Sequence, residues 1–225
     1  MNWIEGEFVS LDFETTGPDP LTARVVEVGL VRVDKNDNVR HLFHSVVNPG
    51  VPIPLEASLI HGIIDENVKG QMETKEMVES VRKIIYDNCR SGTPLVIFNV
   101  PFDWKLLLVE SERIGFKCPF IPLFLDPLCL DKWLNKYRKG KRTLDRLCKA
   151  YNVEVDGKSH GAIVDAVSSV KVLNKMIRLN NILSKCDLDE LQIIQSNAHL
   201  EWRTHINNYW NQNNINRKVT NGWPI

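Results

Sequence analysis

The stretch FVSLDFETTG, residues 8–17, combines the apolar composition of a buried strand with two acidic side chains. Asp12 and Glu14 are two residues apart, so in a strand both side chains point to the same face. Two neighbouring carboxylates repel each other unless one is protonated or a cation lies between them. A solvated edge strand also carries charges in this way, but Leu11 and Phe13 flank Asp12. A divalent cation such as Mg²⁺, bound by carboxylate oxygens, is therefore one interpretation of the pair.

Chain length and composition are typical of a globular protein. The chain has 225 residues, 43% of them hydrophobic, and a formal net charge of zero, which predicts one large domain or a domain with an extension. A protein that coats long nucleic acid is usually basic, so we expect any contact with nucleic acid to be local. Five cysteines without a Cys-x-x-Cys pair predict reduced thiols. No signal sequence or transmembrane run is recognisable, and we expect a soluble, cytoplasmic protein without membrane contact.

The order of the predicted elements indicates an α/β fold. EFVSLDFET, RVVEVGLVRV and RHLFHSVVN are strand-like runs joined by short turns, which favours an antiparallel meander. Helical patterns then alternate with short apolar runs such as PLVIFN, as in the parallel part of a mixed sheet. We predict a domain at residues 1–185 and a C-terminal helical extension at residues 186–225. The extension either packs on the domain or docks a partner, and packing is favoured.

Two later segments carry further candidate ligands. Asp103 lies in FNVPFDWKLL, where an apolar strand runs into a helix, and α/β folds place sites at such strand ends. Asp165 and His160 lie in SHGAIVDAV, at the entry of an amphipathic helix. Each acid alone is also explained as a first-turn acid that complements a helix dipole, and a lone histidine is usually structural. The order and context of the three segments carry more weight than any one of them.

LDFETTG, NVPFDWKLL and HGAIVDA closely resemble the three motifs of the DEDDh, or DnaQ-like, 3′–5′ exonuclease family. That family includes the proofreading epsilon subunit of bacterial DNA polymerase III, ribonuclease T and oligoribonuclease. The motifs D-x-E-T-T-G, N-x-x-F-D and H-x-A-x-x-D are matched by Asp12, Glu14, Thr15, Thr16, Gly17, Asn99, Phe102, Asp103, His160, Ala162 and Asp165. The resemblance covers roughly residues 5 to 180, and three motifs in order make it specific. One departure is Phe98, where the family often has a histidine.

The resemblance implies a ribonuclease H-like fold, a mixed sheet of an antiparallel meander plus parallel strands flanked by helices. It also implies hydrolysis that releases nucleoside monophosphates from a 3′ end. Two Mg²⁺ or Mn²⁺ ions are expected as cofactors, and His160 is expected to act as general base on the attacking water. The metal ligands implied by the resemblance are Asp12, Glu14, Asp103 and Asp165.

Substrate contacts are expected from residues within or near the motifs. Thr15 and Thr16 are candidates for binding the terminal 3′ hydroxyl or phosphate, and His61 for stacking against the last bases. Phe102 is a candidate for the same stacking, with core packing as an equal alternative. Asn99 either positions the substrate or caps the following helix. The basic run KYRKGKR, residues 136–142, either contacts the phosphate backbone or is a solvated loop.

Three functions follow, of which a metal-dependent 3′–5′ exonuclease on single-stranded DNA, for proofreading or repair, is favoured. Its expected partners are single-stranded 3′ ends, DNA more than RNA, and a DNA polymerase subunit as a candidate. The second is the same chemistry on RNA ends, because the contact that selects the sugar can come from backbone. The third is a non-catalytic, polymerase-associated nucleic-acid-binding subunit, against which the complete set of four acids and a histidine argues. A dinucleotide-binding enzyme is disfavoured because G-x-G-x-x-G and P-loop patterns are absent.

Overall fold

The structure is a computed structural model that describes residues 3–117, 120–155, 160–220 and 222–225. Its centre is a six-stranded sheet in the order β4-β3-β2-β1-β5-β6. The strands are β1 (Glu7–Thr15), β2 (Val25–Asp34), β3 (Val39–Asn48), β4 (Met72–Glu73), β5 (Leu95–Val96) and β6 (Phe124–Leu125). The helices are α1 (Leu55–His61), α2 (Asp65–Val68), α3 (Thr74–Cys89), α4 (Val100–Arg113), α5 (Pro127–Leu134), α6 (Leu144–Ala150), α7 (Ala162–Leu179) and α8 (Leu188–Gln212).

The sheet is mixed, which confirms the predicted fold class. β1, β2 and β3 form the antiparallel meander, and the turn between β2 and β3 is closed by Asp34, whose carboxylate accepts from the N–H groups of Asn36 and Asn38. β5 runs parallel to β1, and β6 runs parallel to β5. The helices that join these parallel strands return the chain to the same edge of the sheet, so β1 and β5 end side by side.

Side chains of β1 alternate between two core layers, one on each face of the sheet. Val9, Leu11 and Phe13 pack in one cluster with side chains of α3 and α4. Phe8 points the other way, into the cluster that contains α7. Because successive side chains of a strand alternate between faces, Asp12 and Glu14 lie on the α7 face. The fold therefore turns both acids of the first motif toward the helix that carries the third.

Short elements were not predicted by the sequence pattern. The one-turn helix α2 and the two-residue strand β4 are too short to produce a recognisable period. The run PLFLDPLCL is apolar along most of its length, yet it divides at Asp126 into β6 and the start of α5. Asp126 is the N-cap residue of α5, and its carboxylate accepts from the N–H groups of Leu128 and Cys129, so it stops the strand and starts the helix.

The segment after residue 185 packs on the rest of the structure. Gln192 and Gln195 of α8 hydrogen-bond the backbone of Phe124 in β6. The chain then returns, and the ring of Trp223 lies 6.3 Å from that of Phe124. These contacts agree with the expectation that the segment packs inward, whereas the division into domains at residue 185 stays a prediction. None of the helices in the described ranges is long and apolar enough to cross a membrane.

Candidate active site

The three motifs meet at the edge of the sheet where β1 and β5 end. Asp12 and Glu14 come from β1, and Asp103 comes from the first turn of α4, directly after β5. The backbone N–H of Phe13 donates to Oδ1 of Asp103 at 3.2 Å, which ties the second motif to the first. The third motif approaches from α7, where ligand atoms of Glu14, His160 and Asp165 all lie within 4.8 Å of one another. The structure therefore brings together all five residues for which the sequence predicted catalytic roles.

The first-motif acids are held in an environment that disfavours their charge. Burial raises the pKa of Asp12 well above its usual range, and the nearby carboxylates of Asp103 and Asp165 raise it further. Burial likewise raises the pKa of Glu14 to about 8, again with a contribution from Asp165. Desolvation and like charge therefore act in the same direction at both residues.

The other two acids are partly compensated. Burial raises the pKa of Asp103, while hydrogen bonds from backbone N–H groups, including that of Phe13, oppose the rise. Burial also raises the pKa of Asp165, and the neighbouring His160 opposes that rise. Neutral donors can lower the energy of a single carboxylate, but they cannot balance the charge of four.

The donor set fits a divalent metal ion. None of the four acids forms an ion pair with a lysine or arginine within the described ranges. Carboxylate oxygens are the ligands that hard cations such as Mg²⁺ and Mn²⁺ prefer. The charge that the fold leaves uncompensated at this edge is thus of the kind that such ions balance.

His160 has an unusual position next to these acids. It is exposed and immediately precedes Gly161, the N-cap residue of α7. Its φ of +67° lies in the left-handed region, which few residues other than glycine adopt. This backbone conformation directs the chain into α7 while leaving the imidazole within reach of Glu14 and Asp165.

Two residues of β2 that the sequence reasoning missed hold the start of α7. Glu27, which lies opposite Glu14 in the β1–β2 register, accepts through Oε2 from the backbone N–H of Ala162 at 3.0 Å, and its Oε1 lies 2.8 Å from Nε2 of His44. A Cβ on Gly29 would lie 2.5 Å from the carbonyl carbon of Ala162. A glycine inside a strand is a signal for such close approach, and it stood in EVG, two residues after the acid.

Another buried carboxylate orders the second motif. Asp126 is fully buried and accepts from the backbone N–H groups of Asn99 and Val100. Asn99 has a φ of +70° at the N-cap position of α4. Because Asp103 lies in the first turn of the same helix, Asp126 fixes the segment from which Asp103 projects.

The threonines predicted to contact substrate have their hydroxyl groups engaged within the chain. The hydroxyl of Thr15 donates to the carbonyl of Gly17 at 2.8 Å. The hydroxyl of Thr16 accepts from the backbone N–H of Arg24 at 2.9 Å. The hydroxyl of Thr15 can still accept hydrogen bonds, and that of Thr16 can still donate one and accept another, since a hydroxyl has one donor and two acceptor lone pairs.

His61 lies near the site with one ring nitrogen unused. It is buried at the end of α1, and its Nδ1 accepts from the backbone N–H of Ile63 at 3.0 Å. Its Nε2 has no hydrogen-bond partner in the described part of the chain. Burial lowers the pKa of His61, although the backbone of Thr15 and the carboxylate of Glu27 oppose this shift.

The two second-motif candidates differ in their surroundings. Asn99 is the N-cap residue of α4, but its side chain makes no capping hydrogen bond, which removes the capping alternative. Phe102 is partly buried and packs against the cluster that contains Phe13. The ring of Phe102 therefore combines core packing with an accessible part.

The basic run of residues 136–142 is largely neutralised within the structure. Arg138 and Arg142 both bind the fully buried carboxylate of Asp131, each at 2.9 Å. Lys136 pairs with Glu201 of α8 at 2.8 Å. The two remaining cations of the run, Lys139 and Lys141, are exposed.

Known proteins resemble this chain in sequence. An exonuclease family model matches residues 9–173. DNA polymerase III subunit epsilon of Rickettsia prowazekii (strain Madrid E) is 33% identical over 198 residues, which cover 79% of this chain and 83% of that protein.

Solved structures show the same fold. Exonuclease X in complex with 5′ overhanging duplex DNA has a TM-score of 0.61 at 18% identity, covering 84% of this chain and 99% of that one. E. coli exonuclease I in complex with a dA16 oligonucleotide has a TM-score of 0.67 at 17% identity, covering 80% of this chain and 42% of that one.

Proposed function

The chain belongs to the exonuclease family, and from that premise we propose that it releases nucleoside monophosphates from the 3′ end of single-stranded DNA. Family membership supports nuclease activity in general. The observation that carries the finer proposal is the group of four carboxylates beside one exposed histidine, without a cationic side chain paired to them in the described ranges. A binding module gains nothing from concentrating uncompensated charge where an anionic strand must lie.

The acids supply the metal-binding part of the proposal. Asp12, Glu14, Asp103 and Asp165 would hold two Mg²⁺ or Mn²⁺ ions, which would supply Lewis acidity to activate water and to offset charge on the phosphate and the leaving oxygen. The hydrogen bond from Phe13 keeps Asp103 beside the first-motif acids, so the carboxylates are positioned before any ion binds.

His160 is proposed as the general base. An imidazole that titrates near neutral pH can take a proton from the attacking water. His160 is exposed and lies beside Glu14 and Asp165. The contacts of Glu27 and Gly29 with Ala162 hold the helix start that places both residues.

Substrate contacts follow from the unused polar groups and exposed ring surface. His61 is buried at the end of α1, beside the backbone of Thr15, and is proposed to lie against the last bases. Thr15 and Thr16 keep hydrogen-bonding capacity at their hydroxyl groups and are proposed to contact the terminal 3′ hydroxyl or phosphate. Asn99 and the accessible part of the Phe102 ring are proposed to position the last base.

DNA is the favoured substrate, and a replicative polymerase is the favoured partner, because the similar Rickettsia prowazekii protein is named as a subunit of DNA polymerase III. Cleavage of RNA ends is the second candidate, since backbone groups can make the contact that selects the sugar. The two candidates share every residue assigned above and differ in substrate alone.

A gel assay tests the proposal. Single-stranded DNA and RNA of one sequence, labelled at the 5′ end, are incubated with the protein in Mg²⁺, in Mn²⁺ or in chelator. We expect a ladder that shortens from the 3′ end on DNA, lost in chelator and in Asp12→Ala. The matched control is Asp87→Ala, which removes an exposed acid of α3 paired with Lys83. A faster ladder on RNA would overturn the choice of DNA, and no ladder on either would overturn the enzyme.

A further inference from the structure

The loop between α5 and α6, residues 135–143, presents an exposed aromatic ring among cations. Tyr137 is 90% exposed, more than any other large apolar side chain in the described ranges. Lys136, Lys139 and Lys141 of the same loop are also exposed. A hollow of about 420 Å³ lies beside the ring, lined by residues 134–138.

The loop is anchored from beneath. Asp131 accepts hydrogen bonds from Arg138 and Arg142, and Asn135 donates to the same carboxylate. The N–H of Arg138 closes a turn on the carbonyl of Asn135 at 2.9 Å. Tyr137 therefore lies within a turn fixed at both ends, so the backbone loses little conformational freedom when a ligand covers the ring.

The loop leads directly into an element next to the candidate active site. α6 packs on α7, since Leu147 and Cys148 share a core cluster with Ala166. α6 begins at Leu144, directly after the loop. The loop thus lies on the side of the site where the third motif enters.

Resting on the proposed exonuclease function, we propose that this loop is a second contact surface for the single-stranded substrate. Tyr137 stacks on a base upstream of the nucleotide that is removed, and Lys139 and Lys141 contact backbone phosphates. Stacking on an aromatic ring is tolerant of every base, and lysines match the phosphate charge. Neither contact reads sequence, which suits a strand that must advance by one nucleotide after each cleavage.

The first test separates strand binding from chemistry. Tyr137→Ala, Tyr137→Phe and wild type are assayed on the p-nitrophenyl ester of thymidine 5′-monophosphate, which has no upstream strand, and on 5′-labelled (dT)12. We expect Tyr137→Ala to raise the KM for (dT)12 about tenfold, as the loss of one stacked base predicts. Tyr137→Phe keeps the ring and should stay within about twofold, and ester hydrolysis should be the same in all three proteins.

The control is Tyr209→Ala, which removes a half-exposed ring of α8 and should leave both substrates unaffected. An unchanged KM for (dT)12 in Tyr137→Ala would overturn the proposal. An equal loss on ester and oligomer would also overturn it, because that result indicates damage to the active site rather than to strand binding.

A second test does not need hydrolysis. Binding of fluorescein-labelled (dT)12 is measured by anisotropy in chelator, where Tyr137→Ala should weaken binding about tenfold. A Lys139→Ala, Lys141→Ala double variant should reduce the dependence of affinity on salt concentration. Wild-type protein that binds through the loop but hydrolyses neither substrate would contradict the proposed function alone, whereas binding that is indifferent to these substitutions contradicts the loop proposal alone.

Discussion

Two buried acidic centres on the same side of the sheet are built in opposite ways. Asp131, fully buried, is surrounded by donors: two arginines, the hydroxyl of Tyr151 and the amide of Asn135. The acids at the end of β1 have no such arginine or lysine within the described ranges, and burial and mutual repulsion raise the pKa values of Asp12 and Glu14.

The difference separates acids that are balanced within the chain from the acids of the candidate active site. A fold that buries a carboxylate for its own stability supplies the balancing cation from the chain, because an unpaired buried charge costs several kcal/mol. Where the chain supplies no such cation, as at the end of β1, an ion from solution is needed to balance the carboxylates. Glu110 pairs with Arg24 and Arg113, so its charge is balanced within the chain, as that of Asp131 is.

The largest expected effect is the loss of activity when a site acid is neutralised. Asp103→Asn should reduce the rate of hydrolysis by at least about 10³-fold, because a metal ligand is lost. The metal-free protein should keep its melting temperature or gain stability, since the substitution removes an unfavourable charge. Rates on (dT)12 and thermal melting in chelator check both. A large loss of stability in chelator would mean that Asp103, like Asp131, stabilises the fold, and would contradict the difference between the two centres.

Substitution at Asp131 should change the stability of the protein. Asp131→Ala leaves two arginines without their buried partner and should lower the free energy of unfolding by about 3 kcal/mol, since breaking a buried pair from one side is costly. Urea denaturation followed by circular dichroism measures the change. Lys83→Ala, which removes an exposed i,i+4 pair with Asp87, is the control and should change stability by less than about 0.5 kcal/mol. Equal stability of Asp131→Ala and wild type would mean that the two centres do not differ in this way.

The residues of the candidate site were easier to predict from the sequence than the contacts that position them. The resemblance of three ordered motifs to the DEDDh family implied Asp12, Glu14, Asp103, His160 and Asp165. The two-residue spacing of Asp12 and Glu14 in a strand independently placed both side chains on one face. The helices of regular period, such as Thr74–Cys89, were also predictable from their apolar spacing.

The contacts that support the site were not predictable, because they join residues far apart in the chain. Glu27 meets Ala162 across 135 positions, and nothing in the local pattern of β2 indicates which backbone N–H its carboxylate binds. The sequence around Asp131 likewise carries no signal that Arg138 and Arg142 of the basic run pair with its carboxylate.

Glu27 combines features of both centres. Its carboxylate has hydrogen-bond partners within the chain, but it lies next to the candidate active site, opposite Glu14. As a positioning residue it should affect turnover rather than substrate affinity. Glu27→Ala should lower kcat about tenfold with KM nearly constant, because the first turn of α7 shifts and His160 and Asp165 shift with it. Glu27→Gln keeps an oxygen acceptor for Ala162 and should recover most of the rate. His44→Ala, which removes the exposed partner of Glu27, is the matched control and should change kcat little.

Steady-state kinetics on (dT)12 with these three variants measures the split between kcat and KM. A Glu27→Gln variant as slow as Glu27→Ala would contradict positioning through the hydrogen bond and would favour a role for the charge itself.

The smallest expected effect is a pH dependence of metal stabilisation. Burial raises the pKa of Glu14 from 4.5 to about 8 in the folded protein, so the folded state binds more protons than the unfolded chain between these values. Without metal, the stability that the protonated carboxyl contributes is therefore lost as pH rises from about 4.5 through about 8. A divalent ion favours the ionised carboxylates and reverses that loss. The increase in melting temperature on adding Mn²⁺ should accordingly be larger at pH 8 than at pH 6.

Differential scanning fluorimetry of wild type and Asp103→Asn at both pH values measures this increase. The pH-dependent part should shrink in the variant, because one of the acids that binds the ion is gone. Asp131→Asn should keep it, because arginines rather than an ion balance that carboxylate. An increase of the same size at pH 6 and pH 8 in wild type would mean that the site acids are already ionised in the metal-free protein. The difference between Asp131 and the acids at the end of β1 would then be one of ion pairing alone, without a difference in protonation.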